Sequence, residues 1–412
     1  MKVNDLELSN NAVLRIIERG VHMKSQFDQK INRYNTSSMK WDEVDKMFGV
    51  KDVLPMWVAD MDFMAPPPVL EAIKQRIDHG ILGYSTRSES YFEAVCGWML
   101  QRFNWSIRKE WIHFAPGVVP AIDFIIQAFS APGDKVVIQP PVYYPFKNAI
   151  INNDRQVVYN PLKFENDKYT MDFDDLRSKL DSGVKLLILC HPHNPVGRVW
   201  TQEELTELGK ICIEHNVLII SDEIHADLMF KGHIHIPFAS ISEEFAQNTI
   251  VCTAPSKTFN LAGLQTANII IPNPKIGEIY LAHMKKNHLM RPNVFGALAT
   301  ESAYRYGSNW LEELLDYLQD NLDFLMDYFA TRIKRIKVIK PEGTYLIWLD
   351  CRDLGMNPEE LNQFLLTQAK VALDGGVWFG PGGEGFARIN IACPRAVLEN
   401  GLRRIEKAVS LL

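Results

Sequence analysis

Three residues, in order along the chain, carry groups that act on different positions of one aromatic ring. They are Asn194 in His193-Asn194-Pro195-Val196-Gly197, Asp222 in Ser221-Asp222-Glu223-Ile224-His225, and Lys257 in Ala254-Pro255-Ser256-Lys257-Thr258-Phe259-Asn260. A lysine amine forms a Schiff base with an aldehyde, a carboxylate keeps a ring nitrogen protonated so that the ring accepts electrons, and a carboxamide donates to a phenolic oxygen. Taken singly, Ser-Lys-Thr is most often a solvated loop and Asp-Glu a cap on a strand end. Their setting argues otherwise. Val217 to Ser221 is an apolar run ending at Asp222, and Thr249 to Thr253 is another ending just before Lys257. Both groups are thereby expected at the carboxyl ends of parallel strands, where open α/β sheets bind ligands.

The elements that must hold them follow the same logic. From Trp111 to Pro272, strand-like runs at Lys135 to Ile138, Gln156 to Tyr159, Lys185 to Cys190, Val217 to Ile220, Thr249 to Thr253 and Ala267 to Ile271 alternate with helical patterns, the signature of an α/β layer. Thr201 with Glu204 three positions on predicts a capping box, and Leu205, Leu208 and Ile211 continue at helical spacing to an end near His215 and Asn216. After about Gly307 the texture changes to long helical segments (Trp310 to Ile336, Asn357 to Lys370, Arg395 to Leu411) around short strands at Thr344 to Leu349 and Phe386 to Ala392. The fold class expected is α/β, a large domain with a mostly parallel sheet covered by helices plus a smaller α+β domain. The boundaries expected are 1–62 for an N-terminal arm and part of the small domain, 63–306 for the large domain, and 307–412 for the small one.

Composition narrows the class. The chain has 412 residues, 47% of them hydrophobic and 23% charged, with a net charge of -6. That is the profile of a two-domain globular protein, and the acidic balance argues against a nucleic-acid surface. Apolar runs are too short for a membrane span, and no basic segment precedes an apolar one at the N-terminus, so a cytoplasmic protein is expected. Six cysteines lack C-x-x-C spacing and read as reduced, mostly buried thiols. Met1 to His22 carries one short amphipathic stretch around Val13 to Ile17, and Met23 is a second candidate start; the segment reads either as an arm or as an addition ahead of the native start. Gly380-Pro381-Gly382-Gly383-Glu384-Gly385 matches the dinucleotide fingerprint, but a strand pattern rather than a helix follows it, so it is read as a loop. His191, His193, His225, His233 and His235 lack the carboxylate or cysteine spacing of a metal site, and none is expected.

Beyond these residues, the runs Leu54 to Phe63, Pro141 to Phe146, His191 to Gly197, Asp222 to His225 and Ser256 to Gly263 resemble fold-type I pyridoxal 5'-phosphate enzymes. Within that superfamily they are similar to the MalY/PatB-type C-S β-lyases, which include cystathionine β-lyases and cysteine desulfhydrases. The resemblance covers nearly all of the chain from about Met23. It implies that Lys257 bears the cofactor, Asp222 pairs with the pyridine nitrogen, Asn194 bonds the ring oxygen, and Tyr143 stacks on the ring. His225 stands where aminotransferases carry a tyrosine, and Gln265 where they carry a phosphate-binding arginine. The resemblance assigns the phosphate instead to the amides of Val118 and Val119, which open a helix, with Ser256 and Tyr84 as further donors; a helix N-terminus is sound anion chemistry. Tyr84 is implied to cross from a neighbouring subunit, hence a homodimer with shared sites. Arg388 is implied to grip the substrate α-carboxylate through its bidentate fork, with Ala59 and Asn194 beside it.

The activity implied is α,β-elimination of cystathionine, cysteine or a related S-substituted cysteine to a thiol, pyruvate and ammonia, with Lys257 as the base for the Cα proton and Asp222 and Tyr84 as its catalytic companions. An aminotransferase shares the early steps and stays open as the alternative. So does a cofactor-bound regulatory protein without turnover, although an intact Asn194, Asp222, Lys257 and Arg388 set argues against it.

Overall fold

Seven of the fifteen strands build the large sheet of the computed structural model, which describes residues 24–412. The expectations for Met1 to His22 and for Met23 lie outside the described residues. In chain order the strands are β1 Leu54–Pro55, β2 Ile112–Ala115, β3 Lys135–Ile138, β4 Gln156–Tyr159, β5 Lys163–Glu165, β6 Lys168–Thr170, β7 Val184–Cys190, β8 Leu218–Asp222, β9 Thr249–Thr253, β10 Ala267–Ile270, β11 Lys337–Ile339, β12 Leu346–Asp350, β13 Val371–Ala372, β14 Asp374–Gly375 and β15 Phe386–Asn390. The large sheet runs β2-β10-β9-β8-β7-β3-β4. Strands β9, β8, β7, β3 and β4 pair in parallel, and β10 is antiparallel to both its neighbours.

Parallel strands covered on both faces need continuous apolar runs, and Leu186 to Leu189 of β7 are fully buried. Each such side chain contributes about 1.5–3 kcal/mol. The Gln202–Glu214 helix starts on the capping box of Thr201 and Glu204, with both reciprocal bonds present, and buries Leu205, Leu208 and Ile211. The fold expected from the sequence, a mostly parallel sheet flanked by helices, is the fold observed.

A second, antiparallel sheet runs β11-β12-β15-β14 and packs with the Ser308–Arg332 and Arg395–Val409 helices. The N-terminal residues join this part: β1 pairs in parallel with β13, and the Phe27 ring lies 5.6 Å from Trp310 and 5.5 Å from Tyr317. The segment expected as one helix from Asn357 to Lys370 is instead an α-helix at Pro358–Gln363 and a π-turn at Phe364–Gln368, closed by Ala369 N donating to Phe364 O at 3.0 Å. The wider turn buries three consecutive apolar residues, Phe364, Leu365 and Leu366, which a regular amphipathic stripe would not. The helix expected to reach Ile336 stops at Arg332, and a short turn leads into β11 at Lys337.

Candidate active site

All the parallel strands present their carboxyl ends on one edge, and that edge collects the chemical groups. Asp222 is the last residue of β8; Asn194 and Lys257 follow β7 and β9 by four residues; Tyr143 follows β3. The Val118–Phe129 helix begins just after β2. Gly117, before that helix, has φ 140°, a left-handed backbone that favours glycine. No side chain caps the helix start, Pro120 has no N–H, and Ala121 N bonds Gly117 O at 3.1 Å. Val118 and Val119 therefore supply the donors of that end, positioned for an anion.

Asp222 is fully enclosed and makes no ion pair among the described residues; its Oδ1 accepts only the Ile224 amide, at 3.1 Å. Burial pushes its carboxyl up to about 7, against the opposing pull of that bond and of Lys257. Lys257 donates from Nζ to the carbonyl of Ala59 at 2.6 Å. Burial brings its amine down to about 8, with Asp60 and Asp222 opposing and Arg388 assisting, so a nucleophilic fraction exists near neutral pH. His225 is buried, and desolvation, then the charges of Lys257 and Arg388, holds it well below its usual range, hence neutral.

Arg388, 3% exposed, reaches this cluster from β15. Its Nη1 donates to Asn194 Oδ1 at 2.8 Å, its Nη2 donates to Trp57 O at 3.1 Å and to Asp374, and the Phe379 ring centroid lies 4.9 Å from its Cζ. Asn194 thus has its oxygen engaged, which leaves its amino group as the donor. Tyr143, half-buried, lies close enough to Asp222 and Arg388 to feel both charges, and burial drives its phenol well up. Ser256 is half-buried, one residue before Lys257 on the short Pro255–Thr258 helix. Tyr84 is fully exposed and stands outside this cluster within its own chain. Gln265 is exposed as well.

Sequence reasoning singled out the run Leu54 to Phe63 and Ala59 within it, but missed that residues 57–63 form a strap held through backbone carbonyls. Its Ala59 carbonyl also accepts from Tyr345 Oη at 3.0 Å, Asn390 Nδ2 donates to Val58 O and Asp60 O at 2.7 and 2.6 Å, and Asn260 donates to Met61 O and Phe63 O at 3.0 and 2.8 Å. Below it, Lys40 and Arg33 pair with Asp60 and Asp62. Asp374, the acidic partner of Arg388, was missed too. Its signal was one charge closing the apolar run Val371-Ala372-Leu373.

These residues fit pyridoxal 5'-phosphate. A buried carboxylate with no cation bonded to it suits a protonated ring nitrogen, a desolvated amine suits an aldehyde, and an uncapped helix start suits a phosphate. Nδ1 of His225 and Nε of Arg388, both buried, have no hydrogen-bond partner among the described residues, as a ligand-binding cluster would leave them.

Comparison with known proteins agrees. The chain is 49% identical over 385 residues to cystathionine β-lyase PatB of Bacillus subtilis, covering 93% of this chain and all of that one. It superposes on cystalysin from Treponema denticola, which contains a pyridoxal 5'-phosphate cofactor, with a TM-score of 0.91 at 40% identity, covering 93% and 98% of the two chains. On the PLP-bound C-S lyase from Staphylococcus hominis the TM-score is 0.88 at 36% identity, covering 93% and 97%. Residues 51–405 match the family described as aminotransferase class I and II, so this chain belongs to that family and has the fold-type I architecture of its pyridoxal phosphate-dependent members.

Proposed function

We propose that this protein is a pyridoxal 5'-phosphate-dependent C-S β-lyase that eliminates the sulfur substituent of cystathionine, cysteine or a related S-substituted cysteine. The observation that carries this reading is the meeting of Asp222, Asn194 and Lys257 with Arg388 at one sheet edge, in a chain half identical to a cystathionine β-lyase. When bound, the cofactor supplies an electron sink for the electrons released at Cα.

The chain's own residues do the rest. Asp222 keeps the sink positive, and its burial ensures that the interaction is strong. Asn194 would donate to the ring oxygen while Arg388 holds its amide in place. Tyr143 and neutral His225 would border the ring. Val118, Val119 and Ser256 would hold the phosphate. Arg388 takes the α-carboxylate through the unpartnered Nε, with the Ala59 strap beside it; this fixes the Cα–H bond for attack. Lys257, whose amine titrates near 8, accepts the Cα proton, since a base poised near working pH transfers protons efficiently. The C–S bond then breaks with its electron pair on sulfur, giving a thiol once protonated, and hydrolysis of the remaining three-carbon unit gives pyruvate and ammonia.

Tyr84, exposed in its own chain, reaches the phosphate of a second subunit, so the working unit is a homodimer in the cytoplasm with residues shared across the interface. The exposed apolar side chains of Ile77, Ile81 and Leu82 near it are the kind of surface a dimer covers. The arm and small-domain division at 62 and 306 belongs to the same reading. Profiling cystathionine, cysteine and S-alkyl-cysteines for pyruvate release, with no keto acid supplied, tests it. Turnover that requires a keto acid would make the protein an aminotransferase instead.

A further inference from the structure

Asp374 and Arg388 face each other across β14 and β15 as register partners, so their side chains lie on one face of the small sheet. Both are almost fully buried, at 2% and 3% exposure, and they form an ion pair. The guanidinium does not depend on Asp374 for its orientation. Asn194 Oδ1 holds Nη1, Trp57 O holds Nη2, and the Phe379 ring lies against it. What Asp374 uniquely adds is a negative charge. The ionisable groups around it are Arg388, Tyr144 and Tyr143, the tyrosines contributing no positive charge. Elsewhere in the cluster, Lys40 and Arg33 are committed to Asp60 and Asp62, and Lys257 is committed to the cofactor. Among the described residues Arg388 is thus the one cation of this neighbourhood open to a ligand, and Asp374 already shares its charge.

We propose that Asp374 is a specificity residue: by sharing Arg388 with the incoming ligand it lets the seat accept one carboxylate and turn away ligands that bring a second. This deepens the reading of Arg388 as the α-carboxylate seat and rests on it. A second carboxylate would add to the negative charge of Asp374 with no further free cation among the described residues of this neighbourhood to offset it, and like charges in a buried site repel strongly. The substrate class selected is amino acids whose far end is neutral or carries its own ammonium, as opposed to plain dicarboxylic amino acids.

The test is calorimetric binding of propionate and succinate to the cofactor-loaded enzyme at about pH 8, which reads affinity without turnover. The parent should bind propionate and bind succinate no more tightly. Asp374→Asn keeps the shape and an acceptor oxygen while removing the charge; it should bind propionate about tenfold tighter and succinate tighter still. Asp374→Ser should shift the same way, and Asp374→Glu, which keeps the charge, should not. Unchanged or weaker propionate binding in both uncharged variants would overturn the proposal and make Asp374 a structural anchor. An enzyme that releases pyruvate yet shows no such shift sinks the selector alone; one that shows the shift and releases none sinks the lyase reading alone.

Discussion

Replacing Asp222 with asparagine should make the cofactor-free protein more stable while damaging its function, and the size of the gain follows from the structure. In the unfolded chain this carboxyl ionises near 3.8; in the folded chain burial carries it to about 7. Between those values the unfolded chain has already lost a proton that the folded chain keeps. Stability therefore falls as pH rises from about 4, and the whole penalty is present above about pH 7. At about 1.4 kcal/mol per pH unit of displacement the ceiling is about 4 kcal/mol. Asparagine never ionises and can still accept the Ile224 amide, so it carries no such penalty. Glu223, also lifted to about 7 by burial, is common to both proteins and cancels in the difference to first order. The assay is urea unfolding of cofactor-free protein at fixed concentration, parent against variant, from about pH 4.5 to about pH 8. The variant's advantage should open across that range and level off at about 2–4 kcal/mol. A difference flat with pH, or a parent more stable at about pH 8, would refute the reasoning. In the loaded enzyme the sign reverses, because the carboxylate then has a cationic partner and the variant loses it.

Lys257 of the cofactor-free protein should react with an amine-acylating reagent with a midpoint near pH 8, well below surface lysines; peptide mapping across pH reads this, and Lys257→Ala should abolish both turnover and the borohydride-trappable attachment of the cofactor to the chain. Arg388→Ala should raise KM for amino-acid substrates by about 10- to 100-fold, the worth of charge-assisted hydrogen bonds to a carboxylate; an unchanged KM with every substrate would contradict its role. If Tyr84 serves the neighbouring subunit, then mixing inactive Lys257→Ala with inactive Tyr84→Ala chains and letting them reassociate should restore about a quarter of the parental activity, since half the dimers are mixed and each has one complete site. No recovery would confine Tyr84 to its own chain.

Much of this was legible in the sequence because local signals and global fold agreed. The apolar runs before Asp222 and Lys257 became β8 and β9, and the Thr201 capping box formed as spelled. The glycine-rich match at residues 380–385 became a loop leading into β15. What stayed hidden was whatever depends on backbone groups or on distant pairing. The Ala59 carbonyl that receives Lys257 carries no side-chain signature, and the Asn260 and Asn390 amides that hold its strap look like ordinary polar residues. Asp374 gains its meaning only from the register that sets it opposite Arg388. The π-turn at Phe364–Gln368 buries three consecutive apolar residues, which no helical periodicity in the sequence announces. The one reversed strand, β10, reads in sequence like its parallel neighbours, since burial on both faces erases the difference.

The most direct measurement is the yield of thiol and pyruvate from cystathionine by the purified, cofactor-loaded enzyme with no keto acid present. A β-lyase releases the two in equal amounts over many turnovers. Finding neither product above background, with the amino group of cystathionine passing instead to an added keto acid, would contradict the account.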